Sequence, residues 1–288
     1  MKLYRTKDGI VVDDGGSWAS LPSVDWNELF AQDDLAAFVR ARIAGASGGG
    51  RAAATPSAPA PSPADLLPLV DRQEVWAAGV TYYRSRDARM HESQQSGGDT
   101  FYDKVYAADR PELFYKGSKR TVVAHGGDVR IRVDATWNVP EPELALVTNS
   151  RGRIIGYTVG NDMSSRDIEG ANPLYLPQAK VYDASCALGP CILVGSDPLP
   201  KTTAIRLQIL RGESTAFAGD TTLAELKRDP QELVDYLYRD NPFPDGAVLL
   251  TGTGIIPGND FTLQPGDRVE IEIDGIGTLT NRVVQGAR

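Results

Sequence analysis

The sequence predicts a β-rich α+β fold. From residue 128 onward, short apolar runs repeatedly end at Gly, Asn or Asp, as in strands joined by tight turns. One segment there carries strong helix-start signals: Asp229 can cap, Pro230 suits the first helical position, and Glu232 follows in a capping-box pattern. Strands and helices do not alternate regularly, so a parallel βαβ architecture is not expected.

The first 45 residues predict a small N-terminal α/β subdomain. Residues 1–26 alternate around Asp-Gly turns, which is typical of a hairpin, and Asn27 to Ile43 carries apolar residues at helical spacing. Residues 46–70 are rich in Gly, Ala, Ser and Pro, a composition that favours a flexible surface linker. Residues 71–288 then form the main domain.

The main domain should consist mostly of strands. A long polar stretch between Tyr82 and Arg110 favours a lid or other functional loop over a plain connection. The predicted strands are Glu74–Val80, Glu112–Tyr115, Asp128–Asp134, Glu143–Val147, Ile154–Val159, Ile192–Val194, Ile205–Leu210, Val248–Thr251 and Arg268–Ile273.

Composition excludes several classes of partner. The 288 residues include 30 basic and 38 acidic side chains, a formal net charge of −8, which disfavours binding to nucleic acid or anionic membranes. No apolar run approaches the roughly 20 residues of a membrane span, and the N-terminus lacks a signal-peptide core. Cys186 and Cys191 are interpreted as reduced, packed thiols, so a cytoplasmic protein is expected.

Three carboxylates mark a candidate metal site. Glu141 and Glu143 flank Pro142 at the start of a strand, so period-two geometry places both on one face. Asp162 follows the next strand, and a hairpin turn at Gly152 would return it to Glu143. Three carboxylates suit an octahedral Mg²⁺ or Mn²⁺ with positions left for water and substrate. Spacing alone leaves open that they are solvated acids at strand ends.

Several motifs in order resemble the fumarylacetoacetate hydrolase superfamily. They are WNVPEPELALV, GYTVGNDMSSRD, KVYDASCALGP, AVLLTGTG and PGDRVEIEIDGIGTLTNRV, and the resemblance covers roughly residues 74 to 285. It implies a mixed β-sandwich or β-roll like the C-terminal domain of that superfamily. It also implies Glu141, Glu143 and Asp162 as ligands of Mg²⁺, with Mn²⁺ or Ca²⁺ as substitutes, and a homodimer or homotetramer acting on a small 2-keto carboxylate.

The same resemblance implies a catalytic lysine at Lys180, where the bland alternative is a surface lysine. Hydrolases and decarboxylases of the superfamily carry a histidine in a segment that reads here Gly79 to Ser85, and Ser85 stands at the histidine position. The sequence is instead similar to the sugar-acid dehydratase branch, in which a glutamate equivalent to Glu112 faces the substrate. An ordinary acid at a strand edge is the alternative interpretation of Glu112. The similarity to this branch implies a Mg²⁺-dependent dehydration of a 2-keto-3-deoxy pentonate to 2,5-dioxopentanoate through a metal-stabilised enolate. The alternatives are a C–C hydrolase or decarboxylase of acylpyruvate- or oxaloacetate-type acids, and a non-catalytic binding module.

Further residues are predicted around this centre. The resemblance implies that the TGTG turn lies beside the active site, so Thr253 is a predicted substrate-binding residue. Arg84, Ser85 and Arg86 of the polar loop are the other predicted substrate contacts, with a solvated face as the alternative for the arginines. The TGTG turn precedes Pro257-Gly258-Asn259-Asp260 and not a helix, so a nucleotide-binding loop is rejected. Lys116 follows Glu112 in the same short segment without an assigned role. Asn161, Arg166 and Asp167 are expected to brace the turn that holds Asp162.

Overall fold

A computed structural model describes residues 1–45, 58–82 and 105–286, and its architecture is β-rich as predicted. The strands of these residues are β1 (Lys2–Thr6), β2 (Gly9–Asp14), β3 (Ser17–Leu21), β4 (Glu74–Gly79), β5 (Glu112–Gly117), β6 (Val122–Val123), β7 (Asp128–Arg130), β8 (Asn138–Val139), β9 (Pro142–Thr148), β10 (Ile154–Asp162), β11 (Ser164–Ser165), β12 (Cys186–Val194), β13 (Ala204–Arg211), β14 (Ser214–Thr222), β15 (Ala247–Leu250), β16 (Arg268–Ile273) and β17 (Gly277–Val284). The α-helices are α1 (Leu35–Gly45), α2 (Arg166–Ala171), α3 (Leu176–Lys180) and α4 (Pro230–Tyr238).

Two mixed sheets form most of the molecule. The ten-stranded sheet has the order β3-β2-β1-β12-β10-β9-β15-β4-β5, with β6 added beside β12, and the five-stranded sheet has the order β14-β13-β16-β17-β7. Apolar residues of one face of β9 and β10, such as Leu144 and Val159, share a core with Ile205 and Ile271 of the second sheet. The two sheets therefore stack as a sandwich, and burial of this apolar face holds them together.

The opposite face of the large sheet packs against the N-terminal segment. Ala145 and Leu250 of the large sheet share a second core with Leu3, Leu29 and Val39. The N-terminal segment has three strands where a hairpin was predicted, and β1 pairs with β12, so these strands continue the sheet of the main domain. The single helix predicted over 27–43 is two pieces, a 3₁₀ turn at Trp26–Ala31 and α1.

The segment predicted as a linker is ordered and packed at its C-terminal end. The backbone N–H of Leu67 donates to the carbonyl of Arg5 at 2.9 Å, and Leu69 and Val70 are fully buried. These contacts are long-range in sequence, which explains why a composition rich in small residues did not reveal them. The predicted bounds 46–70 are therefore too long. Residues 46–57 of the linker, and most of the polar loop with Arg84, Ser85 and Arg86, lie outside the described residues.

The hairpin of β9 and β10 is the element that creates the site. The strands pair antiparallel, with Glu143 opposite Gly160, and Gly152 takes a left-handed φ of 71° in the connecting turn. A Cβ at Gly160 would lie 2.2 Å from the Leu250 side chain, so the glycine leaves the space that this leucine fills. This register returns the end of β10 to the start of β9, as the sequence predicted.

Other sequence predictions hold in the described residues. Asp229 caps α4 by accepting from the N–H groups of Gln231 and Glu232. Cys186 and Cys191 are free thiols, both buried, and burial raises the pKa of Cys186 to about 12. Among the helices of these residues, none is long and apolar enough to cross a membrane.

Candidate active site and metal centre

The three predicted carboxylates meet at one end of the large sheet. Glu141 lies just before β9, Glu143 is its second residue, and Asp162 is the last residue of β10. The backbones of Glu141 and Asp162 exchange two hydrogen bonds of 3.0 and 3.2 Å, which fixes these residues opposite each other. One carboxylate oxygen from each of the three residues lies within 4.8 Å of the other two. The side chains are almost fully buried, with residue exposures of 5%, 1% and 1%.

This geometry fits a hard divalent cation. The three carboxylate oxygens are close enough together for one cation to bind all of them, and oxygen ligands of this kind are the ones that Mg²⁺ prefers. Burial and the neighbouring charges of Asp162 and Glu141 raise the pKa of Glu143 well above its usual value. Three like charges in one dry space repel one another, and basic side chains or a bound cation can offset that charge. The donors therefore suit the cation that the sequence predicted.

Two buried basic residues approach the carboxylates directly. Lys180, the last residue of α3, places Nζ 2.7 Å from Glu141 Oε2 and 3.2 Å from Asp162 Oδ2, with Ser164 Oγ at 2.5 Å. Arg166, the first residue of α2, donates from Nη2 to Glu141 Oε1 at 2.6 Å. Lys180 is fully buried. It is therefore not the surface lysine of the alternative interpretation.

A third cation, Lys116, lies behind the carboxylates. Its Nζ is 2.5 Å from Asp162 Oδ1, and it donates to the carbonyls of Met163 at 3.0 Å and Lys180 at 2.5 Å. Glu112 and Phe114 are two residues apart on β5, so period-two geometry directs both to the same face of the sheet, and the pairing of β5 with β4 shifts register at Lys116. The Lys180 Nζ lies 5.6 Å from the centre of the Phe114 ring, which gives the lysine an aromatic wall.

The TGTG turn contributes a backbone donor. The N–H of Gly252 donates to Glu143 Oε2 at 2.5 Å. Gly252 has a φ of 89°, and a Cβ at this position would lie 2.0 Å from Thr81 Oγ1. The left-handed conformation and the close approach both require glycine. Thr253 is buried beside it, but its hydroxyl donates to the carbonyl of Ile255 at 3.2 Å within the turn.

Glu112 lies against a glycine in the wall of the site. A Cβ on Gly79, the last residue of β4, would lie 2.0 Å from Glu112 Oε2, so the carboxylate rests directly on the Gly79 backbone. Gly79 lines the cavity that contains the metal triad, and Glu112 lines the next cavity along. Absence of a side chain at position 79 is what lets Glu112 border the centre.

The site comprises a small cavity and a larger neighbour. The first holds about 10 Å³, room for one water or one ion. The second holds about 570 Å³, enough for a small organic acid. The lining of the first is Ala78, Gly79, Val80, Phe114, Glu141, Glu143, Asp162, Arg166, Lys180, Gly252 and Thr253. The lining of the second is Val105, Ala108, Arg110, Pro111, Glu112, Leu113, Glu169, Pro173 and Leu176.

The bracing residues differ from the sequence prediction. Arg166 contacts a carboxylate of the triad itself and is more than a brace of the turn. Asp167 accepts from the N–H and hydroxyl of Thr136 at 2.6 and 2.9 Å, so it anchors the start of α2 to the preceding loop. Asn161 is fully buried, and strand alternation directs it away from Asp162, with no hydrogen-bond partner in the described part of the chain. The side chain of Asn161 therefore makes no bracing hydrogen bond to the Asp162 turn within the described residues.

Sequence reasoning missed two charged residues of the centre. Lys116 received no role, because it stands just beyond the predicted strand Glu112–Tyr115. Glu169 on α2 is buried at 2% exposure, with Oε1 3.9 Å from Lys180 Nζ and Oε2 4.0 Å from Arg166 Nε. In the described residues, the three buried cations of the centre thus face four buried carboxylates, which leaves a net negative formal charge.

Comparisons with known proteins agree with this geometry. Residues 87–284 match the family model described as fumarylacetoacetate (FAA) hydrolase C-terminal. A probable 2-keto-3-deoxyxylonate dehydratase of Haloferax volcanii is 49% identical over 74% of this chain and 73% of its own length. The 2-dehydro-3-deoxy-D-arabinonate dehydratase of Saccharolobus solfataricus is 45% identical over 74% of this chain and 72% of its own length.

A solved structure extends the similarity to the whole fold. The structure of 2-keto-3-deoxy-D-arabinonate dehydratase complexed with magnesium and 2,5-dioxopentanoate superimposes on this chain with a TM-score of 0.81 at 33% identity. The alignment covers 100% of both chains. The similarity therefore includes the N-terminal strands as well as the sheet that bears the carboxylates.

Proposed function

The chain belongs to the fumarylacetoacetate hydrolase family, and on this premise we propose that it is a Mg²⁺-dependent dehydratase of a 2-keto-3-deoxy pentonate. The observation that carries the proposal is the convergence of Glu141, Glu143 and Asp162 in one buried cavity with Lys180. The dehydratases of Haloferax volcanii and Saccharolobus solfataricus supply the substrate class, because both names describe the removal of water from a 2-keto-3-deoxy pentonate. The product would be 2,5-dioxopentanoate.

The proposed ligand set is Glu141, Glu143 and Asp162. Bound Mg²⁺ would supply Lewis-acid charge next to the keto and carboxylate oxygens of the substrate. Two features of the chain favour the binding of Mg²⁺ here. The N–H of Gly252 orients Glu143, and Arg166 orients Glu141. The surplus of buried carboxylates over buried cations leaves the centre ready for a divalent charge.

Lys180 and Glu112 are the proposed proton carriers. Dehydration removes a proton from C3 and the hydroxyl from C4, which gives a C3=C4 double bond. A proton then leaves C5 and another joins C3, and the resulting C5 enol becomes the aldehyde when C4 gains a proton and the C5 hydroxyl loses one. The net change is loss of one water. Lys180 Nζ stands at the carboxylates and Glu112 borders the same cavity through Gly79, so each can hold or move a proton there.

The proposed position of the substrate follows from the two cavities. The keto acid end belongs at the small cavity, where the carboxylates, Lys180 and Thr253 lie. The hydroxyl-bearing end belongs in the larger cavity that Glu112 lines. Arg84, Ser85 and Arg86 are proposed as additional substrate contacts from the polar loop, since basic residues suit an anionic acid.

Assembly and location are separate proposals. A homodimer or homotetramer is proposed because Leu174 and Tyr175 expose 83% and 45% of their surface, large values for apolar side chains. Light scattering after size-exclusion chromatography measures the assembly directly, and a monomer would contradict the proposal. A cytoplasmic location is proposed because both cysteines are free.

The decisive test is product analysis with a Mg²⁺ series. Purified protein should convert 2-keto-3-deoxy-D-arabinonate or -xylonate to a product lighter by one water, and chelation with EDTA should stop the reaction. Glu143→Gln should weaken Mg²⁺ binding in calorimetry by more than about 100-fold, since loss of residues that merely support a ligand already costs 10- to 100-fold. Glu74→Gln, an exposed glutamate of the same sheet, is the matched control and should leave both unchanged.

Two results would contradict the proposal. Products with a broken carbon chain would indicate the hydrolase or decarboxylase alternative on the same centre. Full turnover and unchanged Mg²⁺ affinity in Glu143→Gln would show that the proposed ligand set is wrong.

A further inference from the structure

Lys116 is a buried cation without a place in the proposed chemistry. Its side chain is fully buried on β5. An ammonium group has three N–H donors. Three oxygens lie within 3.0 Å of Lys116 Nζ: Asp162 Oδ1, the Met163 carbonyl and the Lys180 carbonyl. Two of these contacts are hydrogen bonds to backbone carbonyls and the third is an ion pair with Asp162, so protein oxygens surround the ammonium group and Lys116 is not built to hold substrate.

The three acceptors belong to segments that must be held together. Asp162 and Met163 end β10, and the Lys180 carbonyl is at the C-terminal end of α3, where helix carbonyls need outside partners. Asp162 offers Oδ1 to Lys116 while its Oδ2 lies 3.2 Å from Lys180 Nζ. Lys116 thus contacts the carboxylate of the proposed metal ligand and the backbone of the proposed proton carrier at once.

We propose that Lys116 is a positioning residue that fixes Asp162 and Lys180 relative to each other. The proposal deepens the proposed function and rests on it. By occupying Asp162 Oδ1, Lys116 restricts this carboxylate to one oxygen toward the metal and keeps its plane constant. By binding the Lys180 carbonyl, it fixes the point from which the Lys180 side chain extends. Its positive charge also lowers the attraction of the centre for a cation.

These roles predict opposite effects on metal affinity and on turnover. Removal of the Lys116 charge makes the centre more negative and releases Asp162 Oδ1, so Mg²⁺ should bind more tightly. The same change removes the support of the Lys180 backbone, so turnover at saturating Mg²⁺ should fall. A residue that only stabilises the fold would not tighten metal binding. The separation of the two effects is therefore the signature of positioning.

The experiment uses two variants of the full chain. Lys116→Met removes charge and hydrogen bonds, while Lys116→Gln removes the charge but keeps an amide that can donate to the two carbonyls. We expect Mg²⁺ affinity in calorimetry to rise about tenfold in both variants. We expect kcat to fall about 10- to 100-fold in Lys116→Met and less in Lys116→Gln, because the glutamine still holds the Lys180 carbonyl. If Lys116→Met does not fold, Lys116→Gln carries the comparison of affinity with kcat.

Two control variants separate positioning from general effects. Lys119→Met removes an exposed lysine of the turn that follows β5 and should change neither Mg²⁺ affinity nor kcat. Val122→Ala opens the core next to β12 and should lower the melting temperature without tightening Mg²⁺ binding. Mn²⁺ bound in place of Mg²⁺ gives an electron paramagnetic resonance spectrum, which should differ between wild type and Lys116→Met because Asp162 can then offer both oxygens.

The outcomes distinguish this proposal from the proposed function. Weaker Mg²⁺ binding together with lower kcat and lower melting temperature, as for a purely structural lysine, would overturn it. Unchanged affinity, kcat and Mn²⁺ spectrum would also overturn it. If wild type binds Mg²⁺ but does not dehydrate the sugar acids, the proposed function fails, whereas the affinity and Mn²⁺ spectra of the Lys116 variants still test the positioning.

Discussion

Asp162 and Asp71 each contact two basic side chains, but Asp162 is buried and Asp71 is partly exposed to solvent. Asp162 contacts Lys116 and Lys180, and all three side chains are 0–1% exposed. Asp71 contacts Arg5 and Lys119, whose side chains are 14% and 62% exposed, and itself is 21% exposed. We call these the buried cluster and the peripheral cluster. Both join segments that are far apart in sequence, so they are a natural pair to compare.

The difference in burial indicates that the buried cluster serves chemistry and that the peripheral cluster serves the stability of the fold. In the peripheral cluster, hydrogen bonds from Lys119, Asn27 and Arg5 lower the pKa of Asp71, while water still reaches the group. Such exposed networks stabilise a fold by at most a few kcal/mol. In the buried cluster, removal of charges from water costs several kcal/mol per ion, and ion pairing offsets this only in part. A fold has no need of such an arrangement for stability, so its presence indicates chemistry.

The largest expected effect comes from exchanging lysine for methionine in each cluster. Lys180→Met should lower kcat about 10²- to 10⁴-fold, which is the contribution of a positioned proton carrier. Lys119→Met makes the same substitution at the peripheral cluster and should leave kcat unchanged. Initial rates at saturating Mg²⁺ measure both. Equal losses of activity in the two variants would remove the distinction between the clusters.

The second largest effect is expected from filling the space beside Gly79. The buried centre depends on the missing side chain of Gly79, because a Cβ there would meet the carboxylate of Glu112. Gly79→Ala should displace Glu112 and lower kcat about 10- to 100-fold, with a smaller change in Mg²⁺ affinity, since Glu112 is not among the proposed ligands. Gly195→Ala is the matched control, because a Cβ at Gly195 meets nothing within 4 Å. Full activity in Gly79→Ala would show that Glu112 needs no fixed position.

The sequence predicted the parts of the buried centre that depend on local spacing. Glu141 and Glu143 are two residues apart on a strand, and the turn at Gly152 returns Asp162, so periodicity and turn chemistry located all three. The resemblance to a family supplied two further predictions: that these three residues bind metal, and that Lys180 takes part in the reaction. Lys116 and Glu169 were missed because their partners lie on other elements, and the register between elements is set by tertiary packing.

The N-terminal region shows the same limit. The apolar spacing of residues 27–43 predicted one helix, but acidic Asp33 and Asp34 interrupt it and bind elsewhere: Asp33 accepts from Arg151, and Asp34 caps α1 through the N–H of Ala37. Composition extended the linker to residue 70, although Leu69 and Val70 are core residues. In both cases a long-range contact outweighed the local signal.

The smallest effect is expected at the peripheral cluster. The folded-state pKa of Asp71 is lowered below its unfolded value, so its contribution to the free energy of unfolding is complete above about pH 4 and is lost as the pH falls below that value. Asp71→Asn should therefore reduce this free energy by about 1 kcal/mol at neutral pH. The difference from wild type should shrink with acidification and, because the partners are exposed, with added salt. Urea unfolding across a pH series measures it.

Since Arg5 of β1 binds Asp71 at 3.0 Å, the loss should appear as easier detachment of the N-terminal strands, with kcat preserved. A fall in kcat as large as that of Gly79→Ala would mean that the peripheral cluster also supports the centre, and the distinction drawn from burial would not hold.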